Sequence, residues 1–298
     1  MIPKWHTIRN FRSMLRADEF LYNHRGLVAL LRRIIPQNMA YRLKKFIRTS
    51  AEFPQNDDYQ LTRGNISFQI NRSDFVQWKI FNGSEDLVLS QAKIYAKTDT
   101  IVLDIGANVG GFSLRLANYC FGTGKQTQIH AFEPNLKVFG SLERNLALNP
   151  EAASLIRIYP IGMGKNTTTR QFEFTTSNTG AGRVVPQTPG NTQVQIQQLD
   201  DFVQKLSSLP ISFVKLIIEG SEPEALRGGW NTIKKYKPPI FLEVTRTWWG
   251  EHGYSVEDVL ADLQTLGYQF KIEQNNELIN YIAEKHADIF QYNLLAYQ

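Results

Sequence analysis

The sequence lacks most of the features that mark disulfide-rich, membrane-spanning or repeat proteins. Cys120 is the single cysteine among 298 residues, so no framework of disulfides within one chain is available. The apolar run at residues 26–31 is followed at once by two arginines, and it is far shorter than the roughly 20 residues that cross a bilayer. No convincing cleavage site follows this run, so we expect no signal peptide. The sequence contains no internal repeat and no low-complexity tract.

Positive charge is concentrated at the N-terminal end. Residues 1–50 contain 11 Lys and Arg and two acids, a net charge of +9, whereas the remaining residues carry a net charge of −4. We predict a basic, helical N-terminal arm at residues 1–55 and one larger domain at residues 56–298. A basic arm can contact an anionic membrane or nucleic acid, and a solvated helical appendage is the alternative. We expect a cytoplasmic protein, with peripheral membrane contact through residues 1–50 as an option and without a nucleic-acid partner.

From residue 100 onward, apolar runs typical of strands alternate with amphipathic stretches typical of helices. Strands are predicted at 100–104, 128–132, 155–160, 212–218, 239–244, 268–272 and 289–296, and helices at 111–120, 136–148, 200–206, 222–236 and 256–266. Two β-type runs around residues 172–174 and 194–196, separated by a glycine-bearing loop at 178–182, interrupt the alternation. The pattern predicts an α/β fold with a doubly wound, mainly parallel sheet and a β insertion.

Before residue 100 the sequence predicts a short β-hairpin and a helix. The runs at residues 66–70 and 75–81 are rich in β-branched and aromatic residues, and the turn-like stretch 71–74 lies between them. This is the pattern of a hairpin. Residues 86–97 are predicted to form a helix.

The most informative stretch consists of an apolar strand that ends at Asp104, a small-residue turn from Gly106 to Gly110, and an amphipathic helix. Glycine lets the backbone turn sharply and approach a ligand closely. A second apolar run ends at Glu133, 29 positions after Asp104, where a carboxylate can accept hydrogen bonds from both hydroxyls of a ribose. The strand, turn, helix, strand and acid together predict a nucleoside-binding crevice.

The turn also indicates which nucleoside to expect. A dinucleotide site has the pattern Gly-x-Gly-x-x-Gly, because the middle glycine lets the backbone meet the pyrophosphate. This chain has Asn108 at that position, which disfavours NAD and favours a nucleoside without phosphates. S-adenosylmethionine, with its neutral ribose and cationic sulfonium, is the cofactor we expect. A nicotinamide-dependent oxidoreductase is an alternative.

Four linked motifs resemble those of the FkbM-type methyltransferases, a branch of the S-adenosylmethionine-dependent class I fold. They are, in order, Val102–Gly110; Ala131–Asn135 with Leu142-x-x-Asn145; Leu199–Phe202; and Lys215-x-x-x-Glu219-Gly220-Ser221-Glu222. The resemblance covers roughly residues 80–245. It implies a Rossmann-like methyltransferase domain that transfers a methyl group to an oxygen, often on a sugar or a natural product. It also implies cofactor contacts at Asp104, Gly106, Asn108, Gly110 and Glu133.

One position departs from the pattern of this family. The family usually has Lys-Ile-Asp-Val-Glu-Gly at the fourth strand, whereas this chain has Lys-Leu-Ile-Ile-Glu-Gly at residues 215–220, so Ile217 replaces an acid. Isoleucine cannot hold a metal, take a proton or accept a hydrogen bond from the cofactor. Three readings follow: the acid is dispensable, Glu219 substitutes for it, or the chain is a cofactor-binding protein with lost or weakened turnover.

Methyl transfer to oxygen needs an acceptor hydroxyl, on a small molecule or a glycan, to be positioned and to lose a proton. Glu219, Glu243 and His252 are the candidate catalytic residues, because the two acids end neighbouring strands and a histidine titrates near neutral pH. An oxygen-ligand metal site at the acids is an alternative, and the metal requirement is left open. Glu222 is predicted to favour a helix dipole, and Lys215 to form a structural ion pair with Glu243.

Overall fold

The structure, a computed structural model, describes residues 50–82, 87–175, 178–185, 192–206 and 208–298. Residues 1–49 of the predicted basic arm lie outside these ranges, so its helical state and its membrane contact stay predictions. Within the described ranges, every helix is too short or too polar to cross a membrane.

Strands and helices alternate along most of the described residues. The strands are β1 (Asp58–Arg63), β2 (Ile66–Asn71), β3 (Ile101–Ile105), β4 (Gln128–Phe132), β5 (Ile156–Tyr159), β6 (Gly162–Gly164), β7 (Thr168–Thr175), β8 (Asn178–Val184), β9 (Thr192–Gln198), β10 (Ile211–Leu216), β11 (Ile240–Thr245), β12 (Gln269–Gln274), β13 (Glu277–Asn280) and β14 (Gln291–Tyr297). The helices are α1 (Phe75–Asn82), α2 (Leu87–Tyr95), α3 (Gly111–Gly122), α4 (Leu136–Ala147), α5 (Pro150–Ala153), α6 (Leu199–Val203), α7 (Glu222–Gly228), α8 (Trp230–Tyr236), α9 (Arg246–Glu251), α10 (Val256–Thr265) and α11 (Ala283–His286). A short 3-10 helix at Ser50–Glu52 precedes them.

Eight strands form the central sheet, in the order β13-β12-β14-β11-β10-β3-β4-β5. Strands β11, β10, β3, β4 and β5 run parallel, whereas β14 is antiparallel to both of its neighbours. The chain passes from β3 to β4 on one side and later returns to β10 on the other side of β3. The predicted doubly wound, mainly parallel sheet is confirmed.

Helices cover both faces of this sheet, because its central strands carry apolar residues on both faces. Leu103 and Leu242 belong to the core that α6, α7, α8 and α10 cover. Val102 and Phe241, their neighbours along the strands, belong to the opposite core, which α2, α3 and the β1–β2 hairpin cover. Since side chains alternate along a strand, this pattern also fixes which face carries each polar residue near the strand ends.

The predicted β insertion is present as a second sheet with the order β6-β9-β7-β8. The prediction of a loop at residues 178–182 is wrong, because these residues belong to β8. The glycines in this stretch make room for neighbouring side chains. An added Cβ on Gly180 would lie 2.1 Å from Val76 Cγ2, and one on Gly182 would lie 2.7 Å from Phe172 Cζ.

The prediction of a strand at residues 75–81 is also wrong, because these residues form helix α1. Asp74 caps this helix: its carboxylate accepts a hydrogen bond from the backbone N–H of Gln77 at 2.9 Å, as an N-cap residue does. The hairpin forms one step earlier, between β1 and β2 around Gly64. The β-branched and aromatic residues of this stretch favour a strand, and the N-cap at Asp74 is the single local signal for a helix.

The long helix predicted at residues 222–236 is divided into α7 and α8. The division lies at Gly228 and Gly229, where the chain passes very close to β6. An added Cβ on Gly228 would lie 1.9 Å from the backbone oxygen of Gly164. The two adjacent glycines are the part of the sequence that could have indicated this break.

Candidate active site

The carboxyl ends of β3, β4, β10 and β11 meet at one edge of the sheet, around the point where strand order reverses between β3 and β10. Ligands of open α/β sheets bind at this point. Asp104 and Glu243 lie near the ends of β3 and β11, Glu133 follows β4, and Glu219 lies in the loop after β10. The structure therefore places four of the predicted site acids at the same edge.

Asp104 and Lys215 form a buried ion pair across β3 and β10. Lys215 Nζ donates to Asp104 Oδ1 at 2.8 Å and to the backbone oxygen of Gly106 at 2.7 Å. Ser113 Oγ donates to the other carboxylate oxygen of Asp104 at 2.5 Å. The structural ion pair predicted for Lys215 is present, but its partner is Asp104 and the prediction of Glu243 is wrong. Because both oxygens of Asp104 have partners inside the protein, this acid holds the glycine turn in shape.

The turn after β3 contains three residues with positive φ: Gly106 at 88°, Asn108 at 49° and Gly110 at 88°. Glycine adopts this left-handed region without strain, and asparagine is among the side chains that tolerate it. At Gly106 an added Cβ would also lie 2.0 Å from the backbone oxygen of Ile217. The turn thus packs directly on the residue that replaces the acid of the family pattern.

Glu133 links the turn after β3 to the turn after β4. Its Oε2 accepts a hydrogen bond from the backbone N–H of Asn108 at 3.0 Å, and its Oε1 accepts one from Asn135 at 2.9 Å. The residue is 7% exposed. Burial raises the pKa of Glu133 to about 7, although the two N–H donors and the charge of Lys215 oppose this rise. Each carboxylate oxygen has two lone pairs, so each can accept one further hydrogen bond.

Asn145, in α4, connects the β1–β2 hairpin to the glycine turn through hydrogen bonds. Its Nδ2 donates to the backbone oxygen of Val109 at 2.9 Å, and its Oδ1 accepts a hydrogen bond from the N–H of Gln69 at 2.8 Å. Asn149 makes a similar pair of hydrogen bonds with the backbone of Ser67. Asn145 is part of the motifs that resemble the family, yet nothing in the sequence indicated that a strand 76 residues away is its partner.

Glu222 holds the loop after β10. Its carboxylate accepts hydrogen bonds from the backbone N–H groups of Ile218 at 2.8 Å and Gly220 at 2.9 Å, and from Trp249 Nε1 at 3.0 Å. The side chain is fully buried, and burial raises the pKa of Glu222 to about 7 in spite of these donors. Glu222 begins α7 as predicted, and its contacts give it a structural role in the loop that carries Glu219.

Glu219 and Glu243 are half-buried and interact with each other. Glu219 has a φ of 53°, a conformation that is strained for a side chain of this size and that clusters at functional sites. Burial and then the charge of Glu243 raise the pKa of Glu219 to about 9. Burial raises the pKa of Glu243 as well, against a hydrogen bond with Gln291 and the charges of Lys79 and Lys215. Burial thus favours the protonated form of both acids, and the repulsion between their charges opposes ionisation of both at once.

Several buried polar atoms at this edge lack a hydrogen-bond partner among the described residues. They include Glu243 Oε2, Ser221 Oγ and Thr245 Oγ1. Thr245 follows Glu243 by two residues and so points to the same face of β11. Buried polar atoms in folded proteins are nearly always paired, so these open atoms indicate where polar groups of a ligand would be held.

Helix α1 and the start of β8 lie over the glycine turn. The Asp74 carboxylate accepts a hydrogen bond from the backbone N–H of Thr179 at 2.5 Å, and Asn108 Nδ2 donates to Thr179 Oγ1 at 3.4 Å. Ile80 of α1 packs on Gly111, where an added Cβ would lie 2.8 Å from Ile80 Cδ1. Two segments that are distant in sequence thus cover the turn from outside the central sheet.

His252 lies beside an acid of α7. Its Nδ1 is 3.9 Å from Glu224 Oε1, and its side chain is 2% exposed. The nearby His252 side chain, together with the charge of Arg170, holds the pKa of Glu224 below its usual range. This contact engages His252 outside the Glu219–Glu243 pair, so its predicted catalytic role stays a prediction.

The acids do not form an evident metal site. In the part of the chain that the structure describes, no group of three or more His, Cys, Asp or Glu side chains is arranged to hold a metal ion. Both oxygens of Glu222 accept hydrogen bonds from N–H donors. Of the three acids, Glu219 and Glu243 are therefore the two whose carboxylates are not held in this way.

The sheet order, with an antiparallel strand inserted between β11 and β12, is that of the class I, Rossmann-like methyltransferase fold. The glycine turn after β3 and the acid after β4 occupy the positions of its nucleoside crevice. The Methyltransferase FkbM domain matches residues 104–270, which is more than half of the chain. The chain belongs to the FkbM methyltransferase domain family.

Three known proteins resemble parts of the chain. The AMB antimetabolite synthetase AmbE of Pseudomonas aeruginosa is 32% identical over 105 residues, which are 35% of this chain and 4% of that protein. The methyltransferase FkbM of Methylobacillus flagellatus KT superposes with a TM-score of 0.42 and 21% identity over 67% of this chain and 44% of that one. The precorrin-6y C5,15-methyltransferase of Geobacter metallireducens GS-15 gives a TM-score of 0.38 and 12% identity over 71% and 87% of the two chains. This chain spans less than half the length of the first two proteins.

Proposed function

We propose that this chain is an S-adenosylmethionine-dependent O-methyltransferase that acts on a hydroxyl of a small molecule or a glycan. The observation that carries the proposal is the placement of Glu133. Its buried carboxylate is hydrogen-bonded to the turns after β3 and β4, and each oxygen keeps a lone pair for a ribose hydroxyl. Membership of the FkbM methyltransferase domain family supports methyl transfer as the reaction.

The turn after β3 fits a nucleoside better than a dinucleotide. Free backbone N–H groups of such a turn are what binds a pyrophosphate. Here the N–H of Asn108 donates to Glu133, and the N–H of Val109 donates to Asn108 Oδ1 at 2.8 Å. The N–H of Gly110 donates to the backbone oxygen of Ala107 at 3.0 Å. Because these donors already have partners, the turn favours S-adenosylmethionine over a nicotinamide cofactor.

Different residues at this edge of the sheet would contact different parts of the cofactor. Glu133 would accept the ribose hydroxyls, and the backbone from Gly106 to Gly110 would border the nucleoside, held in shape by Asp104 and Lys215. When bound, S-adenosylmethionine supplies a methyl group on a sulfonium that is already a strong electrophile. The task left to the protein is to position the acceptor hydroxyl and to remove its proton.

Glu243 is the group best suited to take that proton. Burial and the charge of Glu243 favour the protonated form of Glu219, and the charges of Lys79 and Lys215 favour the ionised form of Glu243. Its Oε2 is buried and has no partner among the described residues, so an acceptor hydroxyl can donate to it. Burial raises the pKa of Glu243 toward the operating pH, which makes a carboxylate a more effective base.

Binding of the cofactor without turnover is the second candidate function, and Ile217 favours it. The side chain of Ile217 packs against the apolar core under the crevice, so position 217 offers no proton acceptor. The neighbouring strand β11 supplies Glu243 instead, which is why we prefer turnover. Ile217→Asp separates the two: a gain in methyl transfer would mean that the missing acid limits the reaction.

Two measurements test the proposal. Isothermal titration calorimetry with S-adenosylmethionine, S-adenosylhomocysteine, NAD and NADP is expected to detect binding of the first two compounds only. Transfer of label from methyl-tritiated S-adenosylmethionine to a panel of hydroxylated small molecules and glycans is expected to identify an acceptor. Binding of S-adenosylmethionine without transfer to any acceptor would favour the second candidate, and binding of NAD in its place would overturn the proposal.

A further inference from the structure

A groove of about 430 Å³ opens at the carboxyl edge of the sheet, beyond β11. It lies between the turn that joins β12 to β13 and the segment that leads into β14. Its polar lining residues are Glu273, Gln274, Asn275, Asn276, Gln291 and Asn293. Pockets for small ligands commonly have volumes of about 300–1,000 Å³, so the groove has the size of a ligand site.

The groove is joined to the proposed base. Gln291 lines it and pairs in the sheet register with Thr245, two residues after Glu243 in β11. Asn293 lines it as well, and it is the residue of β14 that pairs with Glu243 of β11 in the sheet register. A molecule that fills the groove therefore lies against β14, the strand next to Glu243 in the sheet.

The lining favours a partner that is uncharged and rich in hydroxyls. Glu273 is the charged residue among the nine that line the groove, and its Oε2 accepts a hydrogen bond from Asn293 Nδ2 at 2.8 Å. Among these described lining residues there is no Lys, Arg or His, so an anionic ligand would have no counter-charge. Asn and Gln amides both donate and accept hydrogen bonds, as hydroxyl groups do.

Apolar surface lies next to these amides. Ile289 and Tyr292 contribute to the lining, and Phe290, between Ile289 and Gln291 in sequence, is 55% exposed. Sugar rings have hydroxyl edges and apolar C–H faces, so they match a lining that combines amides with apolar side chains. Ligand sites generally combine apolar walls with a few polar groups in this way.

We infer that this groove binds the body of a neutral oligosaccharide acceptor and presents one of its hydroxyls to Glu243. The role of Glu243 in this inference rests on the proposed methyltransferase function. The binding of the oligosaccharide rests on the groove alone, so the two can be tested separately.

Binding of the fluorescently labelled full chain to an array of immobilised neutral, sialylated and sulfated oligosaccharides tests the inference. We expect neutral oligosaccharides to be bound and the charged ones to be rejected. Asn276 has a φ of 64°, so Asn276→Gly removes an amide while keeping the turn, and its combination with Gln274→Ala is expected to reduce binding at least tenfold. Asn56→Gly, at a φ of 57° outside the groove, is the matched control and is expected to bind as the wild type does.

Each other outcome overturns the inference: no oligosaccharide bound, charged ones preferred, or binding unchanged in the double variant. Calorimetry with S-adenosylmethionine on the same samples keeps this result apart from the proposed function. Protein that binds S-adenosylmethionine and no oligosaccharide would retain the proposed function and lose the groove assignment. Protein that binds neutral oligosaccharides through the groove but does not bind S-adenosylmethionine would retain the groove assignment and lose the proposed function.

Discussion

Lys215 and Asp104 stand directly opposite each other on adjacent parallel strands, with Nζ 2.8 Å from Oδ1. The same ammonium group donates to the backbone oxygen of Gly106, so one lysine joins two central strands to the glycine turn. Each of these groups would lose several kcal/mol of hydration on burial if it were alone, and pairing offsets that loss. The pair thus shapes the turn before any ligand arrives.

Removing the ammonium group should destabilise the protein strongly. Lys215→Met leaves Asp104 buried without its counter-charge, and we expect the free energy of unfolding to fall by about 3–5 kcal/mol. Urea unfolding followed by circular dichroism measures this change. Arg227→Met, which breaks an exposed pair with Asp262, is the control and should lose less than about 1 kcal/mol. Equal losses of unfolding free energy in the two variants would contradict the expectation that burial makes the Lys215–Asp104 pair the more important one.

Glu133 is expected to decide cofactor affinity. Glu133→Gln replaces one acceptor oxygen by an NH₂ group that faces a backbone N–H, and it removes a charged acceptor for the ribose. Because hydrogen bonds to charged groups contribute roughly 1.5–3 kcal/mol, we expect the Kd for S-adenosylmethionine to rise about tenfold or more in calorimetry. Glu143→Gln, on the exposed side of α4, should leave the Kd unchanged. A wild-type Kd in Glu133→Gln would remove the main support for the proposed site.

The affinity for S-adenosylmethionine should also depend on pH. Glu133 accepts hydrogen bonds best as a carboxylate, and burial raises its pKa to about 7. We therefore expect the Kd to increase as the pH falls from 8 to 6, with proton release on binding near pH 7 because the ribose hydroxyls favour the ionised form. Calorimetry in buffers of different ionisation enthalpy measures both effects. A Kd that is equal at pH 6 and pH 8 would argue against this role.

The two acids near the proposed acceptor position should respond differently to neutralisation. Glu243→Gln removes the proposed base and is expected to lower kcat by about 10²–10⁴-fold. Glu219→Gln resembles the protonated acid that burial and the charge of Glu243 favour, so kcat should stay within a few-fold. The Kd for S-adenosylmethionine should be unchanged in both variants, which serves as the folding control. The reverse order of effects would assign the base to Glu219.

Stability should fall as pH rises from about 4.5 to about 7. Burial raises the pKa of Glu133 and of Glu222 to about 7 in the folded protein, so the folded state keeps protons that the unfolded state has already released. The contribution of each group is complete below the unfolded pKa and is lost as pH rises through the folded pKa, by up to roughly 3 kcal/mol per group. Urea unfolding at pH 5, 6, 7 and 8 measures the slope. Glu133→Gln should flatten it, and Glu143→Gln should not.

The sequence was most informative where one contiguous stretch determines the geometry. The strand that carries Asp104, the left-handed glycines of the turn and the helix after it follow from local residue choice. The position of Glu133 follows from the next strand in the same way. The layers of the fold follow from the alternation of apolar patterns. These features could be predicted because each depends on neighbours within one strand, turn or helix.

Contacts between distant segments could not be predicted in this way. The partner of Lys215 depends on the register of two strands 111 residues apart, and the pattern in each strand is compatible with Glu243 or Asp104. Helix α1 was predicted as a strand, because its composition resembles one and the cap at Asp74 is a single residue. The groove beyond β11 arises from a turn and a loop whose sequences show no distinctive pattern.

The C-terminal strand β14 lies inside the central sheet, and this position determines which fragments of the chain can be expressed. β14 (Gln291–Tyr297) lies after the matched stretch 104–270, yet it is hydrogen-bonded to β11 on one side and to β12 on the other. A fragment trimmed to the matched boundaries would lose β14 together with β13 and most of β12 and β3, and it would leave β11 as an unprotected edge, which invites aggregation. Expression of the domain for crystallisation or screening therefore has to extend to the final residues of β14.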